Sequence, residues 1–158
     1  MNQRSTYAPL GLSLLLAFFL QHLFQIKWPL MVALQQHATY KYWSGLLLMA
    51  YLAYQWYLSF LRMYDRKHAA KRHYKLHKWL GACAPLFFYV HSTQLGYAYL
   101  GVLSVTYFAN VVLGLCNQEV VRIREKWFTQ SWMVTHVAAS VLIVVLMVYH
   151  IVISFSYS

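Results

Sequence analysis

Acid is what this sequence has least of. Three carboxylates, Asp65, Glu119 and Glu125, stand against thirteen lysines and arginines in 158 residues. None lies inside an apolar run, which excludes a zinc or non-haem iron site built on carboxylates within those runs. Cysteine is scarcer still. Cys83 and Cys116 form neither a CxxC nor a CxxCH pattern, so covalent c-type haem attachment and a zinc knuckle have no support, and nothing points to a disulfide. Both are expected as buried free thiols. A glycine-rich dinucleotide fingerprint is also missing, so direct oxidation of a nicotinamide cofactor is not expected. No small-x-small cleavage site follows the first apolar run. That run is expected to remain as a membrane span rather than to be removed as a signal peptide.

What is present is apolar surface. Hydrophobic residues make up 61% of the chain and charged residues 10%, and the mean hydropathy is positive. Several runs approach the roughly 20 residues needed to span a bilayer as helix, and they are apolar all round. The expected fold is an all-α integral membrane bundle of about five transmembrane helices, forming one domain over residues 1–158 without a soluble part. The spans fall at about 8–24, 44–61, 72–94, 97–116 and 131–154. Between the first two, Pro29 opens a short helix along the membrane surface, flanked by Lys27, Trp28, Lys41 and Trp43. Gln55, strongly polar within the second span, is expected to hydrogen-bond another helix. Pro85 predicts a kink in the third span, and a turn near Gly96 leads into the fourth.

Charge supplies the orientation. The connection after the second span carries Arg62, Arg66, Lys67, Lys71, Arg72, Lys75 and Lys78 against Asp65 alone. With Arg4, Arg122, Arg124 and Lys126, eleven basic residues fall on one side of a five-span chain, and only Lys27 and Lys41 on the other. The positive-inside rule then puts the amino terminus in the cytoplasm and the carboxyl terminus outside, as in a bacterial inner membrane protein. The net charge of +10 adjoins apolar spans, so a nucleic-acid partner is not expected. Anionic lipid headgroups or an acidic electron donor suit the basic face.

Histidine carries the chemistry. His77 and His91 lie 14 residues apart in the third span, and His136 and His150 lie 14 apart in the fifth. Along a helix that step rises roughly 21 Å and returns to within about 40° of the starting face. Ionisable residues at membrane depth are functional candidates by default. Spans three and five run in the same direction, so His77 is expected level with His136 near the cytoplasmic side, and His91 level with His150 near the outer side. Leu80, Gly81, Ala84 and Phe88 on one helix, and Ala139, Ser140, Ile143 and Met147 on the other, share the histidine faces. Small groups follow the first histidine of each pair, which leaves room for a planar macrocycle. Two b-type haems fit, one on His77 and His136 and one on His91 and His150. Hydrogen-bonded packing, a proton relay and a single haem are the alternatives. His73, one turn before His77, competes as a ligand; His68 lies in the basic approach, and His22 and His37 sit at or near the membrane boundary. Arg72, Lys75 and Lys78 are candidates for the propionates of the inner haem, and Lys27 or Lys41 for those of the outer one.

The segments HKWLGACAPLFFYVH and HVAASVLIVVLMVYH on alternate spans, with a basic connection before the first, resemble the ferric reductase-like transmembrane superfamily. That superfamily includes metal reductases, NADPH oxidases and the haem-binding membrane subunit of a periplasmic methionine sulfoxide reductase. The resemblance covers roughly residues 44 to 155. It implies two stacked b haems passing electrons across the membrane, with the four histidines as axial ligands. Paired histidines on alternate parallel helices also occur in cytochrome b of quinol-oxidising complexes. No flavin or nicotinamide module follows the fifth span, so the donor is expected to be a separate protein, a quinol or a diffusible flavin. The expected function is therefore that of an electron-transfer subunit with a redox partner on one or both faces. A quinol-linked cytochrome b subunit, and a protein handling haem or protons without redox work, are the other classes considered.

Overall fold

The structure, a computed structural model, describes residues 6–123 and 125–156. Arg4 and Arg124, both used in the charge count, lie outside the described residues. Among the described residues there are eight helices and no strand, and the chain forms two compact units, Met1–Gln94 and Leu95–Ser158.

The first unit begins with α1 (Tyr7–Leu23), whose buried residues Tyr7, Ala8, Gly11, Leu15 and Phe18 recur at helical spacing and form one packing stripe. Phe18 meets Phe88 edge to face at 5.5 Å between ring centroids, and Tyr7 meets Trp79 at 6.4 Å. A turn through Gln25 leads to α2 (Pro29–Gln36), which places Pro29 in its first turn, where the missing N–H costs nothing. The short helix expected after Pro29 is thus present.

The second expected span lies within the longer α3 (Ala38–Met63). Ser44, Tyr51 and Leu58 are buried on it, seven residues apart and therefore on one face. The third expected span is two helices, α4 (Lys67–Ala82) and α5 (Ala84–His91), separated at Cys83. The Cys83 N–H reaches the carbonyls of both Leu80, at 3.0 Å, and Trp79, at 3.2 Å, so the chain tightens there. Pro85 lacks the N–H that would carry the ladder across the break. Beside it the Tyr51 hydroxyl donates to the Leu80 carbonyl at 3.2 Å, and the Tyr51 ring stacks on Phe87 at 4.3 Å. The expected kink is therefore a one-residue break at Cys83, supported from α3.

The second unit is a helical hairpin of α6 (Tyr99–Leu115) and α8 (Lys126–Ser156), with the short α7 (Gln118–Val121) in its connection. Its antiparallel register can be followed along the seam. Tyr99 meets His150, Asn110 Nδ2 donates to Ser140 Oγ at 3.0 Å, Trp132 Nε1 donates to the Leu113 carbonyl at 2.6 Å, and Gln118 bonds Thr129. Asn117 closes the connection. Its side-chain oxygen accepts from Glu119 N at 3.0 Å to cap α7, while its amide donates to the Gly114 carbonyl at the end of α6.

Of the described helices, α8 is long and apolar enough to cross a membrane. The apolar helices α1 and α6 are shorter, at 17 residues each. Two expectations about polar side chains change. Cys83 is half-buried and Cys116 is exposed, because Cys116 falls just past the last turn of α6. Gln55 Nε2 is buried with no hydrogen-bond partner among the described residues; in this unit the long-range glutamine contact belongs to Gln35 instead.

Candidate functional site

In the first unit the best-defined histidine is His91, the last residue of α5. Its Nδ1 lies 3.2 Å from Ser44 Oγ on α3. The ring passes over Gly45, where a Cβ would come within 3.2 Å of Cε1. That separation is tighter than ordinary van der Waals contact, so with a Cβ at this position the imidazole would have to give by a few tenths of an ångström.

The end of α5 is clamped from α2 and the start of α3. Gln35 Nε2 donates to the carbonyls of Tyr89, at 2.9 Å, and Val90, at 3.4 Å. Its Oε1 accepts from Thr93 N at 3.2 Å and from Thr93 Oγ1 at 3.0 Å. The Tyr40 hydroxyl adds a bond to the Val90 carbonyl at 2.9 Å. The last carbonyls of a helix lack intrahelical partners, and here side chains 50 and 54 residues away in sequence supply them.

His77 lies on α4, half-buried. One turn later, no atom of the described residues comes within 4 Å of the position a Cβ on Gly81 would take, so the room expected after His77 is there. His73 has a different setting. It is 5% exposed, its Nε2 lies 3.3 Å from the Tyr54 carbonyl, and the rings of Tyr54 and Tyr57 stand 4.5 and 5.1 Å from its own. A histidine packed between two tyrosines and bonded to a carbonyl has a structural role of its own.

The propionate candidates separate as well. Arg72 and Lys75 are exposed on α4. Lys78 instead lies over two rings, its Nζ 4.5 Å from the centre of Tyr74 and 5.1 Å from that of Tyr7, close enough for cation–π attraction. Lys27 and Lys41 are exposed at the two ends of the α2 region, His68 is exposed on α4 and His37 at the α2–α3 junction; His22 is half-buried in the last turn of α1.

In the second unit both histidines of α8 face α6. His136 stacks on Trp132, the rings 5.7 Å apart and within 7° of parallel, and passes over Gly114, where a Cβ would lie 3.3 Å from Cε1. His150 Nδ1 lies 3.5 Å from the Tyr99 hydroxyl. The helix between them is continuous, so their 14-residue step keeps the rise of roughly 21 Å. Ser140, which bonds both Asn110 and the His136 carbonyl, and Ile143, 3% exposed, lie on the same face between the two.

Among the described residues, no group of three or more His, Cys, Asp or Glu could enclose an ion. Ser44, Gly45, Gln35, Tyr40, Tyr99, Gly114 and Trp132, which hold the histidines, were not identified as site residues from the sequence. The one signal that could have found some of them is a small residue on a neighbouring apolar helix, as at Ser44, Gly45 and Gly114. No protein-family model, curated protein or solved structure matches this chain.

Proposed function

We propose that this chain is a diheme b-type membrane cytochrome that carries electrons between a donor on the cytoplasmic side and an acceptor on the outer side, as a relative of the ferric reductase-like transmembrane proteins. The observation that carries the proposal is on α8: two imidazoles 14 residues apart on one continuous apolar helix, both turned to the same neighbouring helix. Lipid contact is supported by the opposite side of α8, where Val134, Val141, Val145, Val148 and Val152 are 45–68% exposed. Apolar surface of this extent needs a cover, and a bilayer provides it. With α1, α3, the α4–α5 pair and α6 as further spans, the basic residues of the α3–α4 and α6–α8 connections face the cytoplasm.

His77 with His136, and His91 with His150, would hold the two haems, a pairing supported by the equal spacing in the sequence. Haem supplies reversible one-electron chemistry at iron held by axial nitrogens. The protein's own contribution is to fix ring position. Gly45 and Gly114 admit the rings of His91 and His136, Trp132 fixes the plane of His136, and Tyr99 steadies His150. Arg72 and Lys75 supply exposed cations on α4 for propionates or for an acidic partner, and Lys78 is held beside them by two tyrosines. A quinol, a flavin or a partner protein would bring the electrons.

The test is a pyridine haemochrome assay with protein determination on the wild type and on His77→Ala, His91→Ala, His136→Ala and His150→Ala. Two haems per wild-type chain and loss of haem in each variant are expected. A wild type without haem, or four variants that keep both, would overturn the proposal.

A further inference from the structure

The contact between Ser44 and His91 involves a hydroxyl that also has a backbone carbonyl within reach. Ser44 Oγ donates to the Lys41 carbonyl one turn back on α3, at 3.2 Å, as serine does within helices. A hydroxyl has a single proton, so with that proton on the carbonyl the oxygen accepts toward His91 Nδ1, also at 3.2 Å. The donor must then be the Nδ1–H of His91, and the basic lone pair of the neutral ring lies on Nε2.

Three further features keep this arrangement in place. Ser44 is 5% exposed, so water does not compete freely for its oxygen. Gly45 lets the ring lie against the α3 backbone, with Cε1 as the atom a Cβ would meet. The Gln35 and Tyr40 bonds to the carbonyls of Tyr89 and Val90 fix the backbone immediately before His91. Position, plane and tautomer are thus set by three separate contacts on one side of the ring.

We infer that Ser44 is a positioning residue for His91, whose hydroxyl oxygen selects the Nδ1–H tautomer and makes Nε2 the metal-binding nitrogen. The consequence for haem rests on the proposed function above; the tautomer itself does not. A hydrogen bond donated from the distal nitrogen raises the basicity of a ligating imidazole. It therefore favours the oxidised iron and lowers the potential of the haem that His91 holds.

The first experiment uses the full chain in detergent micelles without added haem, labelled with nitrogen-15 at histidine, and His91→Gln to identify the His91 signals. The wild type is expected to show a pyrrole-like Nδ1 and a pyridine-like Nε2 at His91. Ser44→Ala should lose that pattern, and Ser44→Thr, which keeps the hydroxyl, should restore it. A wild-type Nε2–H ring, or an unchanged tautomer in Ser44→Ala, overturns the inference, and the wild-type result decides it even if the alanine variant does not fold. The second experiment is a redox titration of haem-loaded protein. Ser44→Ala should move one of two midpoint potentials upward and leave the other in place, with Ser44→Thr returning it; two unmoved potentials overturn the tuning role. If the wild type binds no haem, the proposed function fails while the tautomer result stands on its own.

Discussion

The two units present histidines by opposite means. In the second unit, α8 runs unbroken from Lys126 to Ser156, so the ladder of backbone hydrogen bonds sets the separation of His136 and His150. In the first, the helix is interrupted at Cys83 between α4 and α5, and the two segments are joined through that residue, whose N–H reaches the Trp79 carbonyl and whose own carbonyl accepts from Phe87 N at 3.4 Å. Further support comes from outside: Tyr51 beside the break, Ser44 at the ring, and Gln35 and Tyr40 at the end of α5. A continuous helix carries its register within itself, whereas an interrupted one also draws on its neighbours. The two units share one device, a glycine under an imidazole, Gly45 below His91 and Gly114 below His136.

The most direct way to break the comparison is to remove an imidazole. His91→Ala and His136→Ala should each abolish one of the two haem signals, seen as a fall by about half in the pyridine haemochrome. The next effect is steric. Gly45→Ala and Gly114→Ala each place a methyl about 3.2–3.3 Å from a ring carbon, so each ring must give by a few tenths of an ångström, an overpacking cost of about 1–3 kcal/mol against about 1 kcal/mol gained from helix propensity. Chemical unfolding in mixed micelles would measure it, and the two losses should be similar, since each ring is restrained by a second contact.

Gln35→Leu sharpens the contrast. It takes the donors from the Tyr89 and Val90 carbonyls and the acceptor from Thr93, at a cost of about 1 kcal/mol, since polar contacts between membrane helices average somewhat below that figure. Hydrogen exchange should accelerate at residues 90–93 and stay unchanged along α8. Equal acceleration in both units would show that the clamp acts globally instead. The smallest effect is expected from Trp132→Phe, which keeps a ring near His136 but loses the bond to Leu113, costing about 0.5–1 kcal/mol. Unfolding should register it without loss of haem.

Much of this architecture can be read from the residues. The apolar runs locate α1, α6 and α8 to within about five residues, because long stretches without charge have one stable local structure in an apolar setting. Pro85 announces the interruption, although not that it falls at Cys83. The full length of α3 is harder to foresee, since Thr39, Lys41 and Tyr42 before Ser44 resemble an interfacial segment yet continue the helix. The histidines stand out because ionisable groups are rare in such runs. Their supports do not: Ser44 lies 47 residues from His91 and Gln35 lies 54 from Tyr89, and serine and glutamine have no periodic signature at such distances. Gln55 illustrates the difficulty. It has the same chemistry as Gln35, but whether a glutamine meets a helix end or only apolar neighbours is decided by tertiary register.

The interruption at Cys83 and the exposed end of α6 have a practical consequence. They place one thiol in each unit, Cys83 half-buried and Cys116 exposed. A gentle alkylating reagent should therefore modify Cys116 first, and a second reagent, added after mild loosening, should reach Cys83. Stepwise attachment of two different spin labels to the native sequence would make a molecular ruler between the units, able to follow the histidine-bearing helices as haem is added.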